Sequence, residues 1–225
     1  MIKFLDILKE SDDNIFIPRG SKEEKDKVLI RRTNDKIQEY IRNGSKGYLD
    51  LRNSPIKFLP RNLTKVGGSL ILVLSQIEKL PDNFTVNGRI DLDGCENLQS
   101  LPNGLKVKKT LDLRETNITF LPSDLEVGED LILMYSQIKK LPDNLTVNGH
   151  LWLDGCKNLQ RLPNGLVVNY NLDIPGTNIT SLPSDLEVGG DLTLSRTPIA
   201  NMYTEKQIRE MVPGLKGGIL GAILS

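Results

Sequence analysis

A Leu-Pro pair returns at Leu59, Leu80, Leu101, Leu121, Leu141, Leu162 and Leu182, at intervals of 20 to 21 residues, and nothing else in the sequence constrains the fold as tightly. Recurrence at a fixed short period marks a repeat architecture in which each unit is one supersecondary element. The unit reads approximately L-x-L-x-x-[S/T]-x-I-x-x-L-P-x-x-L-x-V-x-G-x, and its opening L-x-L has the period of a strand. Eight strand cores follow: Leu49/Leu51, Leu70/Leu72, Ile90/Leu92, Leu111/Leu113, Leu131/Leu133, Leu151/Leu153, Leu172/Ile174 and Leu192/Leu194. So short a unit has no way to bury its own leucines, and the eight turns must stack to form a continuous core.

The other positions of the unit agree with a coil. The proline after each leucine fixes φ and removes a donor, which suits an extended segment outside a ladder on the back of the coil and would spoil a central strand. Gly67-Gly68, Asn87-Gly88, Asn148-Gly149 and Gly189-Gly190 supply tight corners, while Lys108-Lys109 and Asn169-Tyr170 stand at the same corner without glycine. Asn-Gly between two extended runs also signals a β-hairpin. The corners without hairpin chemistry favour the solenoid. Two or three residues after each strand stands Ser54, Ser75, Cys95, Thr116, Ser136, Cys156, Thr177 or Thr197. A small donor repeated there is suited to point inward and bond the backbone that turns off the sheet.

A longer period lies over the short one. Residues 70–128 match residues 131–189 at about 70% of positions, a shift of 61 residues or three turns, as expected of one block copied once. The copies differ at Val73/Met134, Leu74/Tyr135, Arg89/His150 and Asp91/Trp152, on or beside the sheet.

With these motifs the sequence resembles the short leucine-rich-repeat proteins of bacteria and tailed bacteriophages, whose units have the form L-P-D-N-L-x-V-x-G-x-L-x-L. The pieces Ile41–Ile56 (I-x-N-G-S-K-G-Y-L-D-L-R-N-S-P-I) and Tyr203–Gly217 (Y-T-E-K-Q-I-R-E-M-V-P-G-L-K-G) look like the ends of phage-encoded members. The units L-D-L-D-G-C-E-N-L-Q-S-L-P and L-W-L-D-G-C-K-N-L-Q-R-L-P are also similar to repeats of plant immune receptors, and the array to those of secreted bacterial effectors. The resemblance implies an α/β leucine-rich-repeat solenoid, right-handed, with a parallel sheet on one face and extended segments on the other. It names no partner, because such folds are scaffolds whose function lies in exposed residues.

The ends read as helical caps, giving residues 1–46 as an N-terminal cap, 47–202 as the solenoid and 203–225 as a C-terminal cap and tail. Ser21-x-x-Glu24 is a capping box opening a helix to about Arg42, closed by Asn43-Gly44, with Val28, Leu29, Ile37, Tyr40 and Ile41 as apolar positions. Thr204-x-x-Gln207 opens a second, short helix to about Met211 before Pro213-Gly214. Ile219, Leu220, Ile223 and Leu224 read as a strand or flap on the last turn, with a partner-binding tail as the alternative.

Composition narrows the function. The 225 residues carry 29 basic and 29 acidic side chains, so no whole-molecule field draws the chain to nucleic acid. The basic side of the first helix, with Lys22, Lys25, Lys27, Arg31, Arg32, Lys36 and Arg42, is the one local place where phosphate contact would be sought. The longest apolar stretch, residues 217–225, is about half a membrane span, and charges interrupt the apolar run of residues 1–10, which reads as no signal peptide. Cys95, Cys156 and the single His150 are too few for a structural zinc site, and the cysteines stand three turns apart, about 14 Å at the usual strand spacing, beyond disulfide reach. The expected setting is a reducing cytoplasm, that of a bacterial host if the chain is phage-encoded.

Side-chain alternation lists the positions expected on the outer face of the sheet. Turns five and six place Ile132, Met134, Tyr135, His150, Trp152 and Asp154 together, with Asp112 and Asp173 around them and Ile71, Val73 and Asp91 at the matching places of the first copy. Apolar and aromatic residues rimmed by charge describe a protein-binding hot spot. The competing reading is that Trp152 packs on Ile132 to cover sheet surface. Asp91, Asp112 and Asp173 read either as an acidic stripe for a basic partner or divalent cation, or as a solvated ladder interleaved with Arg89 and Arg114; no calcium loop is present. No Gly-rich phosphate loop joins a strand to a helix, and His150 has no evident nucleophile, so no enzyme and no cofactor are expected. The expected function is non-catalytic binding of another protein, in a phage setting a bacterial host factor, inhibited or modulated. Self-assembly and nucleic-acid or nucleotide binding through the basic helix are the alternatives.

Overall fold

The computed structural model describes residues 21–222 and is a parallel β-solenoid. Its front is a nine-stranded parallel sheet in strict sequence order, each strand two residues long, from Leu49–Asp50 to Ile219–Leu220. All eight strands expected from L-x-L are present. Both inward residues of each are buried, and with the Ile and Leu of the following turns they form one continuous apolar cluster. Each such leucine contributes roughly 1.5–3 kcal/mol by leaving water, and because the layers repeat, each is covered by the layers above and below it.

The hydroxyl or thiol after the strand bonds the backbone as expected in five of the eight turns. Thr116, Thr177 and Thr197 donate to the carbonyls of Leu113, Ile174 and Leu194 at 2.7, 2.8 and 2.6 Å. Cys95 and Cys156 donate across the turns to Leu72 and Leu133, each at 3.0 Å. In the other three it does not: the Ser75 and Ser136 hydroxyls meet the Cys95 and Cys156 sulfurs at 3.5 and 3.7 Å, and Ser54 Oγ, in the first turn, has no partner among the described residues.

The back of the coil differs from expectation. The Leu-Pro segments are extended and pair only in the isolated bridges Phe58↔Lys79 and Phe120↔Lys140. The L-x-V segments, however, form parallel ladders of their own, running from Lys65–Val66 to Glu126–Val127 and from Thr146–Val147 to Gly214–Leu215. No strand pairing joins Val127 to Val147, where Asn148 instead donates a side-chain bond to the Val127 carbonyl at 3.3 Å. This interruption coincides with the boundary between the duplicated blocks.

Helix α1 (Lys22–Arg42) begins at Ser21 with both bonds of the capping box and ends at Asn43. It buries Ile37 completely, and Tyr40 and Ile41 pack on the same core. The Tyr40 hydroxyl lies 2.8 Å from the Ser45 carbonyl and accepts from Gly67 N–H at 3.0 Å, joining the helix to the first corner. At the other end α2 (Pro198–Met202), which the sequence reading did not contain, is capped by Thr197 with Pro198 at its first position. Helix α3 (Glu205–Met211) carries the expected Thr204/Gln207 capping box. Ile219–Leu220 then adds the ninth strand; the readings for residues 1–20, Ile223 and Leu224 lie outside the described residues.

The residue second after each L-x-L takes the left-handed conformation in all eight turns: Asn53, Leu74, Gly94, Glu115, Tyr135, Gly155, Gly176 and Arg196, with φ between 55° and 69°. Glycine and asparagine suit that region, whereas Leu74 and Tyr135 do not. Both are exposed, at 62% and 57%.

Candidate functional site

The register of the front sheet lines up Asp50, Ile71, Asp91, Asp112, Ile132, Trp152, Asp173 and Thr193 in one row on its outer face. Trp152 therefore lies between Ile132 and Asp173, about 4.8 Å from each strand. Backbone bonds such as Glu115 N–H to Met134 O, Tyr135 N–H to Asp154 O and Gly155 N–H to Pro175 O define a parallel row of Val73, Asp93, Arg114, Met134, Asp154 and Pro175. Ile132, Met134, Tyr135, His150, Trp152, Asp154 and Asp173 thus come together. Ile71 and Val73 do not join them, because four strand steps separate Ile71 from Trp152, about 19 Å.

An aromatic cluster crosses this patch. The His150 ring centroid is 5.7 Å from that of Trp152 and 5.3 Å from that of Tyr170, with interplanar angles of 32° and 36°. Trp152 and His150 are half-buried, while Tyr170 and Tyr135 are exposed. His150 is fixed by its neighbours: its N–H donates to Asp130 Oδ1 at 2.8 Å, and its Nδ1 accepts from Asn171 N–H at 3.3 Å. Asn171 and Asp191 repeat the device for the next turns, accepting from Asp191 N–H and Gly218 N–H at 3.0 and 2.7 Å. The ring is thereby held in one place beside Trp152.

The acidic positions correct the sequence reading. Asp91, Asp112 and Asp173 project on the outer face yet are buried, with 7%, 2% and 9% of their surface exposed, and Pro175 is buried as well. Strands so close leave little room for water between successive side chains, and arginines fold over two of the three carboxylates. Asp91 pairs with Arg89; Asp112 takes Arg114 Nη2 at 2.8 Å and Arg114 Nε at 3.0 Å. The ladder is interleaved with arginine as one reading held, but it is not solvated. Among the described residues no group of three or more His, Cys, Asp or Glu is placed to hold a metal ion.

Electrostatics separate the two copies. Burial raises Asp93 above its ordinary carboxylate value, and Arg114, 3.2 Å away, opposes the rise. Burial also raises Asp154, its counterpart, and there the next contribution is the Asp173 carboxylate, which raises it further. Burial likewise pushes the Cys95 thiol up, and the Cys156 thiol up to about 11, so neither is a ready thiolate.

No protein-family model matches the chain, and no curated protein matches it. The site is therefore read from its own geometry. Two of its residues escaped the sequence reading: Tyr170, noted there only as a corner without glycine, and Pro175. Each had a signal in the duplication, since Lys109 and Arg114 stand at the matching places of the first copy.

Proposed function

We propose that this solenoid is a leucine-rich-repeat scaffold, with α1 and the α2–α3 segment as its end caps, and that it binds another protein without catalysis through the outer face around Trp152. The observation that carries the reading is the run Tyr170–His150–Trp152, flanked by Ile132, Met134 and the exposed Tyr135, on a sheet whose other outer positions are mostly short or charged. Aromatic residues preorganised by backbone contacts are the usual anchors of protein interfaces. Buried thiols that resist ionisation are consistent with a non-catalytic role. The leucine-rich-repeat resemblance, with its phage-like ends, makes the proposed partner a bacterial host protein met in the host cytoplasm, and inhibition of an immune protein the proposed effect.

The test is affinity capture with wild type, Trp152→Ala and Met134→Asp/Trp152→Ala, each checked for folding by circular dichroism. A protein held by wild type alone is then purified and its affinity measured. Trp152→Ala should weaken binding by about 2 kcal/mol, roughly thirtyfold. Equal affinity in that variant removes the reading. Self-association is a second reading, favoured by the last strand Ile219–Leu220, an edge of the front sheet that leaves Leu220 52% exposed. Light scattering that stays flat with concentration removes it.

A further inference from the structure

The two copies of the duplicated block keep the same pair of carboxylates in the same places, and only one pair is neutralised. In the first copy Arg114 bridges the strands, with Nη2 at 2.8 Å from Asp112 Oδ2 and 3.2 Å from Asp93 Oδ2. Its backbone N–H also donates to Asp112 Oδ1 at 3.2 Å. Sixty-one residues later Asp154 and Asp173 stand where Asp93 and Asp112 stood, but Pro175 replaces Arg114. Proline removes the guanidinium and the backbone donor together. Asp173 is nine-tenths buried, and Asp173 Oδ2 and Asp154 Oδ2 are both buried without a hydrogen-bond partner among the described residues. Arg196 acts on Asp154 through its charge, yet the two form no ion pair within 4.0 Å. A buried carboxylate without a partner is costly and is seldom left so.

We infer that an arginine side chain of the partner protein completes this site, its guanidinium taking the place beside Asp154 and Asp173 that Arg114 fills beside Asp93 and Asp112. The inference rests on the reading of the Trp152 face as a protein-docking surface and deepens it. The first copy shows that the sheet spaces two carboxylates so that one planar guanidinium serves both, a match that the compact lysine ammonium lacks. A divalent ion would want more oxygen ligands than two carboxylates supply. Trp152, in register with Asp173, adds an aromatic ring beside the pair, and an arginine that packed on it would gain cation–π attraction.

The experiment uses the full chain and a free probe. N-acetyl-arginine amide is titrated while the Asp154 and Asp173 carboxyl carbons and the Trp152 indole N–H are followed by NMR, with the lysine and citrulline amides as comparators. The arginine amide should shift all three signals saturably, with the lysine amide at least severalfold weaker and the citrulline amide without effect. Pro175→Arg, which restores the first copy's arrangement, should abolish the response, and Asp173→Asn should do the same without altering the backbone. Absence of a saturable response to the arginine amide overturns the inference, as does an equal response to lysine, or binding undiminished in both variants. A carboxyl pair that titrates with pH but ignores every amide shows a shared proton in place of the guanidinium, and overturns it too. The two proposals fail separately: Trp152→Ala leaving partner affinity intact sinks the docking surface even if the amide binds, whereas a silent amide sinks the arginine even if Trp152→Ala weakens the partner.

Discussion

Tyr135 lies across Gly155: a Cβ added to the glycine would come within 2.5 Å of Tyr135 Cε1. Leu74 lies over Gly94 in the same way, with its Cδ2 at 2.5 Å. The glycine in the next turn is thus what makes room for a large side chain at a backbone position that is itself left-handed. A bulky residue in that conformation costs on the order of 1–2 kcal/mol. Since Tyr135 is 57% exposed, burial returns little of it. Strain kept at an exposed aromatic is a reason to look to function.

Tyr135→Gly separates the two roles. The change relieves the strained conformation and, against that, frees the unfolded chain by roughly 0.5–1 kcal/mol. Stability in urea should hold or rise by about 1 kcal/mol, while partner affinity drops by about tenfold, the level expected for losing an interface aromatic. A clear loss of stability would make Tyr135 a packing residue.

Arg114→Ala should destabilise the fold, because Asp112 is 2% exposed and would be left without its guanidinium partner. Removing one partner of a fully buried pair costs about 3–5 kcal/mol; with the arginine side chain 39% exposed, solvent screening brings the expectation to about 1–3 kcal/mol. Adding Asp112→Asn should recover most of the loss. A double-mutant cycle showing no coupling would contradict the ion pair.

The pH dependence of stability should carry two opposite signatures. Asp154 binds its proton more tightly folded than unfolded, so its contribution is full below its ordinary value of 3.8 and is lost as pH rises through the raised folded value. Asp50, lowered chiefly by its hydrogen bond with Arg52, contributes above its ordinary value and loses that contribution as pH falls through the lowered one. Asp154→Asn should therefore flatten the decline that sets in as pH rises above 3.8, and Arg52→Ala the decline that sets in as pH falls below it. Urea unfolding across that range decides both.

The solenoid was legible because its cause is periodic: leucines at L-x-L, a small donor two or three residues on and a Leu-Pro turn repeat until only stacking satisfies them. Both capping boxes were legible because Ser21/Glu24 and Thr204/Gln207 act within one helical turn. The rear ladders were not, since the Leu-Pro signature drew attention from the L-x-V alternation beside it. Of the candidate site, alternation placed Ile132, Met134, His150 and Trp152 on one face. It had no means to give burial, which depends on how Arg89 and Arg114 fold over Asp91 and Asp112. Nor could it bring Tyr170, a corner residue, onto His150.

The gap in the rear ladder has a mechanical consequence. Across the front every turn is tied to the next by main-chain bonds. Between Val127 and Val147 the rear ladder is interrupted, and the Asn148 side chain reaches the Val127 carbonyl in its place, with the Phe120–Lys140 bridge and the bond from Gly149 N–H to the Glu129 carbonyl holding the turns on either side of a cleft of about 520 Å³. In a stacked array whose stability is a sum of nearest-neighbour contacts, that step lacks the rear L-x-V pairing that the ladders on either side of it have. The molecule is built like a book with an intact spine and one loosened page edge. Bending or opening would concentrate at the joint where the copied block begins, one strand from Trp152, so the curvature that an incoming protein meets is set where the rear ladder is broken.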